Sequence, residues 1–256
     1  ITTAAGLNNG FDPSSTLTGS NVITLPDTVT ELTNYANQKC NGQDSVTLQT
    51  AFALSCNTAF VEMSEQIGAD ELRKYAKAFG VGENYDLGVS TSGGTLGDLP
   101  DGAATAQSAI GQRDVTMTAL QAAVMAGTVA NKGTRMQPYL VNRITDAQMK
   151  DVRTTKPKKA DQAVNEETAA TLTDLMYASE RSSWGYDGNG FASKTGTAEH
   201  GEGLAPHVWY VAFDPERDIA VGVVVKNGGN LGESATGGKV SGPIGRAILR
   251  AYQGEQ

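Results

Sequence analysis

The chain has 256 residues, 39% hydrophobic content and a formal net charge of −8. That is enough apolar material for a real core in one large domain or two lobes. The acidic balance argues against nucleic acid as the main partner, and no run reaches the ~20 apolar residues of a membrane span.

The alanine-rich start, Ile1 to Asn9, ends at Asn9-Gly10 like the last turns of a helix with a glycine stop. No signal peptide is present and the first residue is Ile1, so the chain reads as a fragment whose real N-terminus lies upstream. Phe11 to Asn41 is rich in turn signals, with short strand-like pieces between them. Val46 to Leu54 is predicted as a helix capped by Asp44 or Ser45. It runs into Ser55-Cys56-Asn57, after which helices are expected at about Thr58 to Gln66 and at Ala69 to Phe79, stopped by Gly80. Gly82 to Asp101 is irregular. Ser108-Ala109-Ile110-Gly111-Gln112 then precedes a long helix, about Thr116 to Asn131, whose Ala119 to Ala130 portion reads as buried.

Tyr139 to Thr145 and the region of Val152 suggest a small hairpin carrying the basic cluster Lys150, Arg153, Lys156, Lys158 and Lys159, read as a solvated loop. Asn165-Glu166-Glu167-Thr168 caps a helix through about Glu180. Three β-rich runs follow: Phe191 to Glu199, Val208 to Phe213 and Ile219 to Val225. The turn Asp214 to Asp218 joins the last two, so the set reads as an antiparallel meander. Lys194-Thr195-Gly196 therefore lies on a strand, with Gly196 where a second backbone could approach closely. A helix with Pro243 in its first turn closes the chain. There is no internal repeat.

Cys40 and Cys56 are the only cysteines, and with His200 and His207 they form no zinc pattern, so no metal and no other cofactor is expected. Two buried thiols or one disulfide both fit. The histidines read as structural or exposed, since no Ser-His-Asp order is apparent.

Ser55-Cys56-Asn57 is the sole Ser-x-Asn and Lys194-Thr195-Gly196 the sole Lys-Thr-Gly of the chain. In this order among helices and an antiparallel sheet, they resemble the motif set of the penicillin-binding proteins and serine β-lactamases. Ile110-Gly111-Gln112, Lys194 to Glu199 and His207-Val208-Trp209-Tyr210 look like the class B, monofunctional transpeptidases. Ala4-Ala5-Gly6-Leu7 and Gly237-Gly238-Lys239 look like their actinobacterial branch. The resemblance implies an α+β fold: an antiparallel sheet flanked by helices, with an adjoining all-helical lobe. It treats 1–256 as a transpeptidase domain missing its N-terminal part. The family's first motif, Ser-x-x-Lys, is absent, because no Ser has Lys three positions later; the nucleophile is expected just upstream of Ile1.

By this resemblance the substrate is the D-Ala-D-Ala end of a peptidoglycan stem peptide, with penicillin and other β-lactams as mimics. Ser55 relays a proton to the departing amine, and Asn57 holds the absent lysine and the substrate amide. Lys194 supplies positive charge near Ser55 and the substrate carboxylate. Thr195 and Thr197 offer hydroxyls to that carboxylate, the Thr197 N–H helps hold the oxyanion, and Gly196 lets the peptide lie along the strand. A serine β-lactamase or DD-carboxypeptidase of the same fold, and a non-catalytic penicillin sensor or division scaffold, are the alternatives. The domain is expected on the extracytoplasmic face of the membrane, anchored by an N-terminal segment outside this chain, among cell-wall synthesis or division proteins. In that compartment a Cys40–Cys56 disulfide is expected.

Overall fold

The computed structural model describes residues 1–201 and 203–254. Helix α1 (Thr2–Leu7) is buried from Thr2 to Gly6. Two short antiparallel ladders follow: β1 (Thr16–Thr18) pairs with β4 (Ser45–Thr47), and β2 (Val22–Thr24) with β3 (Glu31–Thr33). Ladder β1–β4 places Leu17 opposite Val46, and both side chains enter the core. This ladder shifts the expected helix start. Val46 belongs to a strand, and α2 (Leu48–Leu54) is capped by Thr47, whose hydroxyl accepts from the Thr50 N–H at 3.2 Å. Neither Asp44 nor Ser45 caps it.

The two helices expected after Ser55-Cys56-Asn57 form one run, α3 (Asn57–Ala78), broken at Gly68 with φ 76°. A helix not foreseen in the sequence, α4 (Gly102–Ala109), packs on α3; Asp101 caps it through the Ala104 N–H. Its run of small residues shows no apolar stripe, so periodicity gave no signal. Helix α5 (Ala119–Ala130) starts later than expected because Thr116 is held in a bridge to Thr95, and a capping box of Thr118 and Gln121 opens it.

β5 (Thr134–Met136) pairs across a hairpin with a later strand, β8 (Lys159–Gln162). The hairpin itself, β6 (Arg143–Thr145) with β7 (Asp151–Thr154), forms where expected, and its lysines and Arg153 are exposed. Helix α6 (Glu166–Ser182) is capped by Asn165.

The meander is present as expected: β9 (Ala192–Ala198), β10 (His207–Asp214) and β11 (Ile219–Val225) form an antiparallel sheet in the order β11-β10-β9. Helix α5 packs on β10 and β11. Helix α7 (Gly237–Gly254) packs on all three strands, and α6 packs on β9. Helix α7 begins six residues before Pro243, which lies inside it rather than in its first turn. The early start seats Gly237 on the sheet backbone: a Cβ there would lie 2.4 Å from the Trp209 carbonyl oxygen and 2.7 Å from that of Gly196. The glycine that permits this approach is Gly237; a Cβ on Gly196 itself would meet the Trp209 side chain, 3.3 Å from its Cβ.

Cys40 and Cys56 form a disulfide, with Cα atoms 5.7 Å apart. It ties the loop before β4 to the start of α3, and both half-cystines are buried. Closing a loop of that length restricts the unfolded chain by about 3 kcal/mol in the chain-entropy model. Replacing both cysteines with alanine is therefore expected to cost about 3 kcal/mol, read as a lower urea midpoint. An unchanged midpoint would show that the bridge adds no stability.

Candidate active site

Strand β9 carries Lys194 beside the C-terminal end of α2. In the β9–β10 register Lys194 faces Val211, Thr195 faces Tyr210, Gly196 faces Trp209 and Thr197 faces Val208. From the other half of the molecule comes Ser55, the residue that closes α2. It sits in the left-handed region at φ 59° and ψ 48°, a conformation that costs a non-glycine residue on the order of 1–3 kcal/mol and persists only where its surroundings enforce it. Backbone bonds from Ser55 to Phe52 (3.2 Å) and from Cys56 to Ala51 (2.9 Å) do so here. The Lys194 ammonium donates to the Ser55 hydroxyl at 2.8 Å and to its neighbour Thr195's carbonyl at 3.1 Å, and lies 5.8 Å from the centre of the Phe52 ring. Ser55 is the C-terminal capping residue of α2. Its hydroxyl nevertheless meets Lys194 across 139 positions of chain.

Lys194, Thr195, Gly196 and Thr197 line a cavity of about 490 Å³. Phe52, Phe79, Met125 and Met176 form much of its apolar floor, and Ile110 to Gln112 and Val115 to Met117 form a wall. Ser55 and Asn57 do not line it. The Asn57 amide instead donates to the Thr33 carbonyl at 3.1 Å, which holds the start of α3 against the β2–β3 ladder. The structure thus joins Ser55 to Lys194 and the Lys194–Thr197 strand to one cavity, and turns Asn57 toward the ladder.

Burial lowers the Lys194 ammonium to about 8 from the ordinary lysine value of 10.5. The residue is half-buried, so solvent screens part of the cost. His207 and Trp209 also line the cavity. The His207 ring stacks near His200 with centroids 4.1 Å apart, and its Nδ1 accepts from the Asn227 N–H at 3.1 Å. Burial, with His200 and Lys226 nearby, depresses its pKa. His207, read from the sequence as structural or exposed, could have been flagged by the strict alternation of Val208, Tyr210 and Ala212, all fully buried, with His207, Trp209 and Val211 on the opposite face.

Beneath the strand lies a group that the motifs did not reveal. Glu180, fully buried near the end of α6, accepts from Arg246 Nε at 2.6 Å and Asn189 Nδ2 at 2.9 Å on one oxygen. Its other oxygen accepts from the Tyr210 hydroxyl at 3.0 Å and, in a short bond, from the Ser193 hydroxyl. Burial alone would raise this carboxyl, but the bonds from Arg246, Ser193 and Asn189 outweigh it and hold it below the usual carboxylate range. Burial, and then the Glu180 charge, push the Tyr210 phenol up.

The lysine shift has a consequence for stability. Between about pH 8 and 10.5 the unfolded chain still holds the Lys194 proton while the folded chain has released it, so stability rises with pH across that window. Below pH 8 both states hold the proton, and the screened cost of the half-buried charge no longer changes with pH. Lys194→Met is therefore expected to gain more over the parent at about pH 7 than at about pH 10, compared by urea midpoints. A gain that does not shrink with pH would mean that the ammonium is not depressed.

Comparison with known proteins gives this geometry a context. Residues 1–250 match the penicillin binding protein transpeptidase domain. The chain is 44% identical over 260 residues to the peptidoglycan D,D-transpeptidase PbpA of Mycolicibacterium smegmatis, covering 98% of this chain and 53% of that protein. It is 42% identical over 267 residues to PbpA of Mycobacterium tuberculosis, covering 100% of this chain and 54% of that protein. The chain thus spans about half the length of these relatives. The solved structure of penicillin-binding protein A from M. tuberculosis as a penicillin G acyl-enzyme complex superposes with a TM-score of 0.92 at 41% identity, over 98% of this chain and 59% of that one. With matches of this extent, the chain belongs to the penicillin-binding protein transpeptidase family.

Proposed function

We propose that this chain is the main part of a peptidoglycan DD-transpeptidase domain acting through a serine acyl-enzyme. The observation that carries the reading is the 2.8 Å bond from Lys194 to Ser55, made where the Lys194–Thr197 strand enters the cavity. The relatives named D,D-transpeptidases and the acyl-enzyme complex of the M. tuberculosis protein support it.

In this reading the nucleophile is the serine of a Ser-x-x-Lys segment, which these 256 residues do not contain. Its hydroxyl oxygen bonds to the carbonyl carbon of the penultimate D-alanine, and the bond to the terminal D-alanine nitrogen breaks. The hydroxyl proton passes to that nitrogen, with Ser55 as the last carrier. Lys194 keeps Ser55 oriented and attracts the terminal carboxylate as a compact point charge, helped by the hydroxyls of Thr195 and Thr197. The Thr197 N–H contributes to the oxyanion hole. The peptide lies along β9 at Gly196, adding a strand to the sheet edge. An amine on a neighbouring stem peptide then attacks the ester and restores the serine. Asn57 orients the lysine of the Ser-x-x-Lys segment and the substrate amide, a role that requires its side chain to leave the Thr33 carbonyl. Penicillin acylates the same serine and stays. The site of action is the extracytoplasmic face of the membrane, in company with other cell-wall synthesis or division proteins; among the described residues no helix is long and apolar enough to cross a membrane.

Intact mass spectrometry tests the reading. Full-length protein is expected to gain one penicillin mass, mapping to the Ser-x-x-Lys serine, while the 256 residues alone gain none. Ser55→Ala is expected to slow acylation about 10²-fold, as loss of a proton-transfer group does. Lys194→Ala is expected to slow acylation and weaken binding together. Rapid turnover of penicillin would favour a β-lactamase, absence of an adduct the sensor or scaffold reading, and an adduct on the 256 residues a different nucleophile.

A further inference from the structure

Glu180 belongs to none of the motifs, yet its carboxylate has four donors from four places: Arg246 on α7, Asn189 in the loop before β9, Ser193 on β9 and Tyr210 on β10. An ionised carboxylate offers about four lone-pair positions, so its acceptor capacity is used up. Two of the four donors flank the reactive strand. Ser193 is the residue before Lys194, and Tyr210 is the cross-strand partner of Thr195. Successive strand residues point to opposite faces, so a bond that fixes Ser193 on the face covered by α7 fixes the direction in which Lys194 leaves the other face, toward the cavity. The helix carrying Glu180 also packs against α2, the helix that Ser55 closes. Helix α6 therefore spans both halves of the Lys194–Ser55 contact.

We propose that Glu180, acting through the Ser193 hydroxyl, is a positioning residue that holds Lys194 against Ser55. The inference rests on the proposed function for its catalytic meaning but not for its geometry. Burying a charge requires a reason, and Glu180 could have been a plain apolar residue if its only work were packing, since well-packed apolar replacements for buried ion pairs are often neutral or stabilising. What an apolar side chain cannot do is accept from Ser193 and Tyr210 together, the one bond fixing the rotation of β9 and the other its neighbour.

Ser193→Ala tests this in the full-length protein, because it removes the single bond to β9 and leaves Glu180 paired with Arg246, Asn189 and Tyr210. Ser193→Thr keeps the hydroxyl, and Leu249→Ala is the control for loosened sheet packing, since Leu249 is buried on α7 without a part in the network. Two readouts are taken. One is the titration midpoint of Lys194, followed by NMR of its Cε carbon, which needs no penicillin chemistry. The other is the rate of penicillin acylation. Ser193→Ala is expected to move the midpoint up from about 8 toward 10.5 as the ammonium swings into solvent, and to slow acylation about tenfold. Ser193→Thr is expected to restore both, and Leu249→Ala to lower the thermal midpoint while leaving both near the parent. A parent-like Lys194 midpoint in Ser193→Ala overturns the proposal whatever the acylation rate. So does an equal change in Leu249→Ala, which would make the effect general loosening. Should the parent protein form no adduct, the proposed function falls, while the titration still decides the positioning role.

Discussion

The carboxylate of Glu180 is the point on which the order of this fold depends. An ionised group with no solvent access loses several kcal/mol of hydration, and one partner charge seldom returns all of it. Here the Arg246 guanidinium supplies one bond, and three neutral donors supply the rest. Networks of this kind are close to all-or-none, because the low-dielectric surroundings that strengthen each bond also penalise any that is missing. The geometry that satisfies Glu180 therefore fixes α6, α7, β9 and β10 together. Arg246 extends it through Nη1 to the Trp184 carbonyl at 3.0 Å and stacks 5.5 Å from the centre of the Tyr210 ring.

Around this polar centre the packing is set by absent side chains. A Cβ on Gly222 would lie 2.3 Å from the Ala119 carbonyl oxygen, and one on Gly245 would lie 2.3 Å from the Tyr210 ring. Helices α5 and α7 can thus press onto opposite faces of a three-stranded sheet only because those two positions have no Cβ. The approach of α5 reaches the cavity directly: its capping residue Thr118 follows Met117, and the preceding Thr116 is bridged to Thr95. A shift of that helix would move the wall from Val115 to Met117 with it.

Much of this architecture was legible in the sequence. The meander announced itself through alternation in Val208 to Phe213 and the β-branched run of Ile219 to Val225, and Asn165 marked the start of α6. Local rules suffice for such elements because the deciding interactions are a few residues long. The cap of α2 was misplaced for the opposite reason. Asp44 and Ser45 are good caps in isolation, but pairing with β1 draws Ser45 to Thr47 into a ladder and hands the role to Thr47. The cavity-lining motif residues were legible as Lys-Thr-Gly-Thr; the Asn57 contact with Thr33 was not, since it depends on a ladder 24 positions away. Glu180 left a trace that could have been read. Leu172, Met176 and Glu180 recur at four-residue spacing on one stripe of α6, and Arg246 stands three positions before the buried Leu249 on α7. A charge of each sign on the apolar stripe of two different helices is itself a signal of a buried pair.

The site is assembled from two halves of the chain, each with its own anchor. On the helical side, Ser55 is kept in a strained left-handed conformation beside the half-cystine Cys56, so a covalent tie to Cys40 limits how far that corner can relax. On the sheet side, Lys194 follows Ser193, which the Glu180 network holds in place. The bond from Lys194 to Ser55 is made by a side chain with about 2 kcal/mol of rotamer entropy to lose. Such a bond cannot organise the halves that it joins. It forms because the Phe52 ring and the packing of α6 against both α2 and β9 have already brought the ammonium within reach. The geometry at Lys194 and Ser55 is therefore a consequence of rigid anchors on either side, and α6 is the strut between them.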